Sequence, residues 1–199
     1  NINDNFAVIA SFPEYKDKPI VIGDYEPEGC AACQGPQLAY RNGTMYSSYT
    51  AASFARKHDL ADRHGVNLEG ALTWAFTFED QPYFAGFRQL ASNGLPLPVF
   101  NVFRMFSRMT GQRVPVDSSH AVALDDMLRE GVRGAPDVAA LASFDAANRT
   151  VAVMVWHYHD DDVAGADASI NLSVAGLAET VSELRIRHYR IDENHSNAY

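Results

Sequence analysis

Cysteine and tryptophan are scarce in this chain, two of each in 199 residues, and basic charge is outweighed. Lys plus Arg number 16 against 25 Asp plus Glu, a formal net charge of -9. That balance opposes nonspecific attraction to nucleic acid or an anionic membrane, so neither is expected as a partner and a neutral substrate fits better. No apolar run approaches the ~20 residues that a membrane-spanning helix needs. The start lacks the basic and apolar regions of a signal peptide. It opens on Asn1 rather than Met, which reads as a processed chain or a fragment, so localisation is not legible there. A glycine-rich phosphate loop, an internal repeat and a low-complexity segment are also missing, and no cofactor is expected.

The two cysteines, Cys30 and Cys33, have the C-x-x-C spacing of a redox pair. Such a pair needs a strand running into a cysteine at the start of a helix. Here Gln34-Gly35-Pro36 follows Cys33 and stops a helix, leaving a loop disulfide or two unreactive thiols as the readings. No second Cys or His pair lies nearby at a ligand spacing, which argues against zinc. In the later run WHYHDDD, His157 and His159 alternate and would share a strand face, with Asp160, Asp161 and Asp162 behind them. A turn explains the triple Asp better than a metal does, so no metal is expected.

What the chain does have is concentrated in PIVIGDYEPEGCAAC, residues 19–33. Ile20, Val21 and Ile22 form an uninterrupted β-branched run between Pro19 and Gly23, as in a buried strand. The end of that strand presents Asp24, Glu26 and Glu28. In parallel α/β folds ligands bind at the carboxyl ends of strands, and in barrels the catalytic side chains sit there.

The pattern changes near residue 112. Before it, strands alternate with helices. A helix capped by Ser47 or Ser48 runs to about His64 and ends at Gly65, a strand spans 66–76, and a second helix starts near Pro98. Val99, Val102, Phe103 and Phe106 form the apolar stripe of that second helix. After it, strands are expected at 137–145, 150–158, 168–177 and 181–189, with a further short one near 121–124. Two β/α units alone would leave open sheet edges and bare apolar faces, so a barrel missing its earlier strands is the simplest completion.

The strand-end segment, the stretch YRNGTMYSSYTAASFARKHDLADRHGVNLEGALTWAFTFEDQPYFAGFR, the run FNVFRMFSRM and the late WHYHDDD and HYRIDENHSNAY resemble the C-terminal part of a bacterial β-xylosidase of glycoside hydrolase family 39. The resemblance covers essentially the whole chain. It implies an α/β plus all-β fold: residues 1–111 as the last two β/α units of a (β/α)8 TIM barrel, and 112–199 as an antiparallel β-sandwich. It also implies a retaining, exo-acting β-xylosidase that releases xylose from β-xylosides or xylo-oligosaccharides. The bacterial cytoplasm or periplasm, the upstream half of the barrel as a partner, and an oligomer are compatible with it.

Retaining hydrolysis needs a carboxylate nucleophile and a carboxylic acid ~5 to 5.5 Å apart. The resemblance places Asp24 where the family has a Glu nucleophile, one methylene or about 1.5 Å shorter in reach, with Glu26 as the fallback. Trp74 and Glu79 match the family pattern for sugar binding, and Phe78 and Tyr83 are candidate pocket walls. The family's acid follows an Asn, usually within Asn-Glu-Pro, and that tripeptide is absent. The chain by itself is therefore expected to be inactive. The alternative is a carbohydrate-binding or structural module that has lost catalysis.

Overall fold

The computed structural model describes residues 1–73, 78–177 and 181–199. Helix α1 (Ile2–Ala10) opens the chain, with the Asn1 side chain accepting from the Asp4 N–H at its start. Its Phe6 is buried against Leu60, Ala61 and Val66. Strand β1 (Ile20–Ile22) and strand β2 (Leu68–Ala71) pair in parallel, with the long helix α2 (Thr44–His64) crossing between them. This is the β/α/β unit that the sequence pattern predicts. Strand β1 is less buried than expected, since Val21 is exposed.

Helix α2 ends as anticipated. Gly65 takes a left-handed conformation (φ 62°), its N–H reaches the Asp62 carbonyl, and the Val66 N–H reaches that of Ala61. A residue with a Cβ disfavours that conformation, which is why glycine stands there. The helix start differs from the prediction. Neither Ser47 nor Ser48 caps it; a short 3-10 helix (Pro36–Asn42) delivers the chain to Gly43, and α2 begins at Thr44. Asn42, buried, anchors that junction by donating to the Phe84 carbonyl at 2.9 Å.

A tight hairpin follows, β3 (Ala91–Ser92) and β4 (Leu95–Pro96), turned by Asn93 and Gly94, both at positive φ. Helix α3 (Pro98–Phe106) starts on its proline as predicted and buries Val99 and Val102. Strands β5 (Gln112–Val114), β6 (Asp137–Asp145) and β7 (Thr150–Tyr158) form an antiparallel sheet in the order β5-β6-β7. The short strand expected near 121–124 does not form; helix α4 (Leu124–Glu130) begins at its last residue, after the bridge from His120 to Val138.

The largest buried cluster joins Ala51, Ala52 and Ala55 of α2 and Val102 of α3 to Ala139, Met154, Trp156 and Tyr158 of the sheet. The alanines let the helix lie close to the sheet. Residues on both sides of position 112 therefore share one core.

The strands expected at 168–177 and 181–189 are not formed among the described residues. Ile170, Leu172 and Val174 alternate as a strand would, yet all three are exposed. Alternation builds a strand only when a neighbouring ladder takes its N–H and C=O groups, and none is in place here.

Candidate active site

Parallel pairing sends β1 and β2 out at the same edge of their sheet, and the pairing continues past β2 through the Leu72 N–H to the Ile22 carbonyl at 2.8 Å. The residues that follow therefore meet. Thr73, just beyond β2, donates its hydroxyl to the Glu26 carboxylate, and Tyr46 from the first turn of α2 donates its phenol to the same group. Asp24 is met by Arg88, whose Nη1 lies 3.1 and 3.4 Å from the two carboxylate oxygens. Arg88 is 1% exposed whereas the Asp24 side chain is 38% exposed, so a guanidinium fixed from below orients a carboxylate open to solvent.

Glu28 has a different task. It accepts from Arg41 Nε at 2.8 Å, pairs with the Arg41 Nη2 and accepts the Tyr40 phenol. Arg41 is itself buried and also donates to the carbonyls of Cys30 (2.7 Å), Cys33 (3.3 Å) and Gly86 (3.1 Å). Cys30 and Cys33 are disulfide-bonded, which resolves the two readings of the C-x-x-C pair in favour of the loop disulfide. Glu28 and Arg41 together hold that loop against the segment carrying Arg88. The Arg88 N–H adds to this by donating to the Ala31 carbonyl at 3.0 Å, and its Nη2 donates to the Glu28 carbonyl.

Tyr25 is buried, between exposed Asp24 and half-buried Glu26. The Lys57 ammonium, also buried, sits 3.6 Å from the centre of the Tyr25 ring and donates to the Ser53 carbonyl at 3.2 Å. Burial pushes the Lys57 ammonium down to about 7, and the negative charge of Glu26 opposes the shift. Burial raises the Tyr46 phenol above its ordinary value, and Glu26 raises it further. Tyr46 is therefore a proton-bearing donor to Glu26 across the physiological range.

Two carboxylates with separate supports, one on a guanidinium and one on neutral hydroxyls, at the end of a parallel strand pair suit the cleavage of a polar bond. Residues 2–199 match the family model described as glycosyl hydrolases family 39. The chain belongs to that family. No curated protein and no solved structure gives a match. Family 39 membership supports glycoside hydrolase function and a carbohydrate substrate.

Within this family 39 chain, the remaining sugar-binding candidates fall in different places. Phe78 stacks on Phe87, the neighbour of Arg88, with ring centres 4.2 Å apart. Tyr83 is exposed and tilted against Phe84. Glu79 is exposed, and its carbonyl accepts from Gln81. Trp74 lies outside the described residues. Arg88, Tyr46, Thr73 and Lys57 were not singled out from sequence. For Arg88 a signal existed, a lone arginine in the aromatic stretch PYFAGFR; the other three become visible only when α2 and β2 are folded against β1.

The WHYHDDD run leaves β7 after Tyr158 and bends at Asp160 and Asp161. The Asp160 carboxylate accepts the Val132 N–H and the Tyr158 phenol, each at 2.9 Å, and the Val163 N–H closes back on the Asp161 carbonyl. Among the described residues, no three His, Cys, Asp or Glu side chains are grouped to hold a metal ion. No described helix is long and apolar enough to cross a membrane.

Proposed function

We propose that this chain is the nucleophile-side part of a retaining exo-β-xylosidase, with Asp24 as the nucleophile. The observation that carries the reading is the Arg88–Asp24 pair at the end of β1, beside Glu26 and its hydroxyl donors. An Asp oxygen attacks the anomeric carbon of a β-xyloside; the glycosidic oxygen departs with the proton of an acid across the bond. The product is a xylosyl ester on Asp24. Water, giving its proton to the now-ionised acid, then attacks the same carbon and frees xylose and the Asp24 carboxylate.

The acid is a carboxylate contributed from outside these residues, on barrel strands that would pair with the two-stranded β1-β2 sheet. Exposed Val21 and Leu72 support that completion, because a closed barrel would cover them. The division into barrel units at 1–111 and a β-sandwich at 112–199 belongs to the same proposal. Trp74 and Glu79 would bind the sugar, with Phe78 and Tyr83 at the pocket wall. Tyr46 and Thr73 fix Glu26 as a hydrogen-bonding neighbour of the reacting centre.

One observation favours a second reading. Asp24 is shorter than Glu and is held by Arg88, and misplacement near 1 Å can cost on the order of 100-fold in rate. A module that binds carbohydrate without cleaving it would fit such a site. Hydrolysis of an aryl β-xyloside by the full-length protein separates the two. The catalytic reading expects Asp24→Asn to abolish turnover and Asp24→Glu to retain or raise it; unchanged turnover in Asp24→Asn removes Asp24 from the mechanism.

A further inference from the structure

A cleft lies between α3 and the C-terminal segment, lined by Arg104, Arg108, Arg190, His188, His195 and neutral polar residues that include Asn194 and Ser196. Its volume of about 750 Å³ falls in the range of small-molecule sites. Arg104 and Arg108 are four residues apart at the end of α3, where the turn continues through the Arg108 N–H to the Met105 carbonyl at 3.0 Å. Arg104 lies in the last turn of α3 and Arg108 just past its Ser107 cap, and both line the cleft. Neither guanidinium has a carboxylate partner among the described residues. Each lies over an aromatic ring, Arg104 4.5 Å from the centre of Phe100 and Arg108 4.8 Å from that of Tyr189, and Arg104 Nη1 also donates to Asn101 Oδ1 at 3.2 Å.

The nearby carboxylate is already engaged. Asp192 pairs with Arg190 and accepts from His195 Nδ1 at 2.7 Å and the Asn194 N–H at 2.9 Å. These partners, the His195 bond foremost, hold it down to about 2. It therefore fixes the turn rather than neutralising Arg104 and Arg108. Asn101 ties that turn to α3 through the Ser196 carbonyl at 3.1 Å. The result is a local positive site in a chain of net charge -9.

We propose that this cleft binds a sugar carrying an oxyanion, a uronate carboxylate or a sugar phosphate. Arg104 and Arg108 take the anionic group through charge-assisted hydrogen bonds, and Asn194 and Ser196 meet the hydroxyls. The site is distinct from the carboxylates at the end of β1 and does not rest on their assignment.

Calorimetric titration of the protein with D-glucuronate, glucose 6-phosphate, glucose and inorganic phosphate tests it. At least one charged sugar should bind tenfold or more tightly than both glucose and inorganic phosphate, and which one binds identifies the anionic group. Arg104→Gln with Arg108→Gln should weaken that binding at least tenfold. A readout that needs no variant is the imidazole NMR signals of His188 and His195, which should shift as the charged sugar saturates. Equal binding of glucose, inorganic phosphate binding as tightly as either charged sugar, unchanged affinity in a folded double variant, or unmoved imidazole signals would each overturn the proposal.

Discussion

At the scale of single residues, three carboxylates within five positions of one another have been given three environments. Asp24 faces solvent on a buried guanidinium, Glu26 rests on two hydroxyls, and Glu28 is bound into the loop through Arg41. Sequence alone could place all three at a strand end but could not sort them, because their partners come from α2, from the residues after β2 and from the segment around position 88. Lys57 shows the same limit: a lysine in an amphipathic helix reads as solvated, and it is 3% exposed. Its ammonium is lowered by burial from 10.5 to about 7. Between those values the unfolded chain holds the proton and the folded one has released it, so stability rises with pH there and is lost as pH falls through 7. The slope from this one group is at most about 1.4 kcal/mol per pH unit. Lys57→Met should flatten the stability profile between pH 7 and the onset of tyrosine ionisation near 10, as read from urea unfolding at several pH values. A variant with the wild-type slope would show that Lys57 stays charged in the fold.

Elements are joined in this protein by a few buried polar hubs. Asp137, at the start of β6 and 0% exposed, accepts from Arg56 of α2 at 2.7 Å, from the Val122 N–H at 2.8 Å and from Trp156 Nε1 of β7 at 2.8 Å. It thus ties the long helix to two parts of the sheet region. Removing it leaves two N–H donors unpaired and costs Arg56 one of its two carboxylate partners, Asp59 remaining at 3.0 Å; such a loss typically costs about 2–4 kcal/mol. Asp137→Ala should lower thermal stability by about 5 °C or more in a scanning calorimeter; a shift within 2 °C would mean that water replaces the carboxylate. Elements with local signatures were legible beforehand: β1 from its β-branched run, the end of α2 from Gly65, the start of α3 from Pro98, and β6 and β7 from their apolar residues. Elements that depend on distant partners were not. The 168–177 segment has the strand pattern without the strand, and no strand forms from Ala121 to Leu124, where α4 begins.

At the scale of the whole molecule, the family match, the β/α/β unit and the acidic balance agree with a neutral carbohydrate substrate. The parallel pair and the unladdered C-terminal segments both carry apolar side chains in the open, among them Val21, Leu72, Ile170 and Leu172. In the proposed barrel and sandwich, further strands would cover them and would bring an acid to face Asp24. The proposed mechanism therefore turns on covalent chemistry at Asp24. Mass spectrometry of the full-length protein after reaction with an activated 2-fluoro-β-xyloside, which traps the sugar on a retaining nucleophile, addresses that directly. One 2-fluoroxylosyl adduct, mapped by peptide digestion to Asp24, is expected; an adduct on Glu26, or turnover of an aryl β-xyloside by a protein that never acquires the label at Asp24, would contradict the assignment of Asp24 as nucleophile.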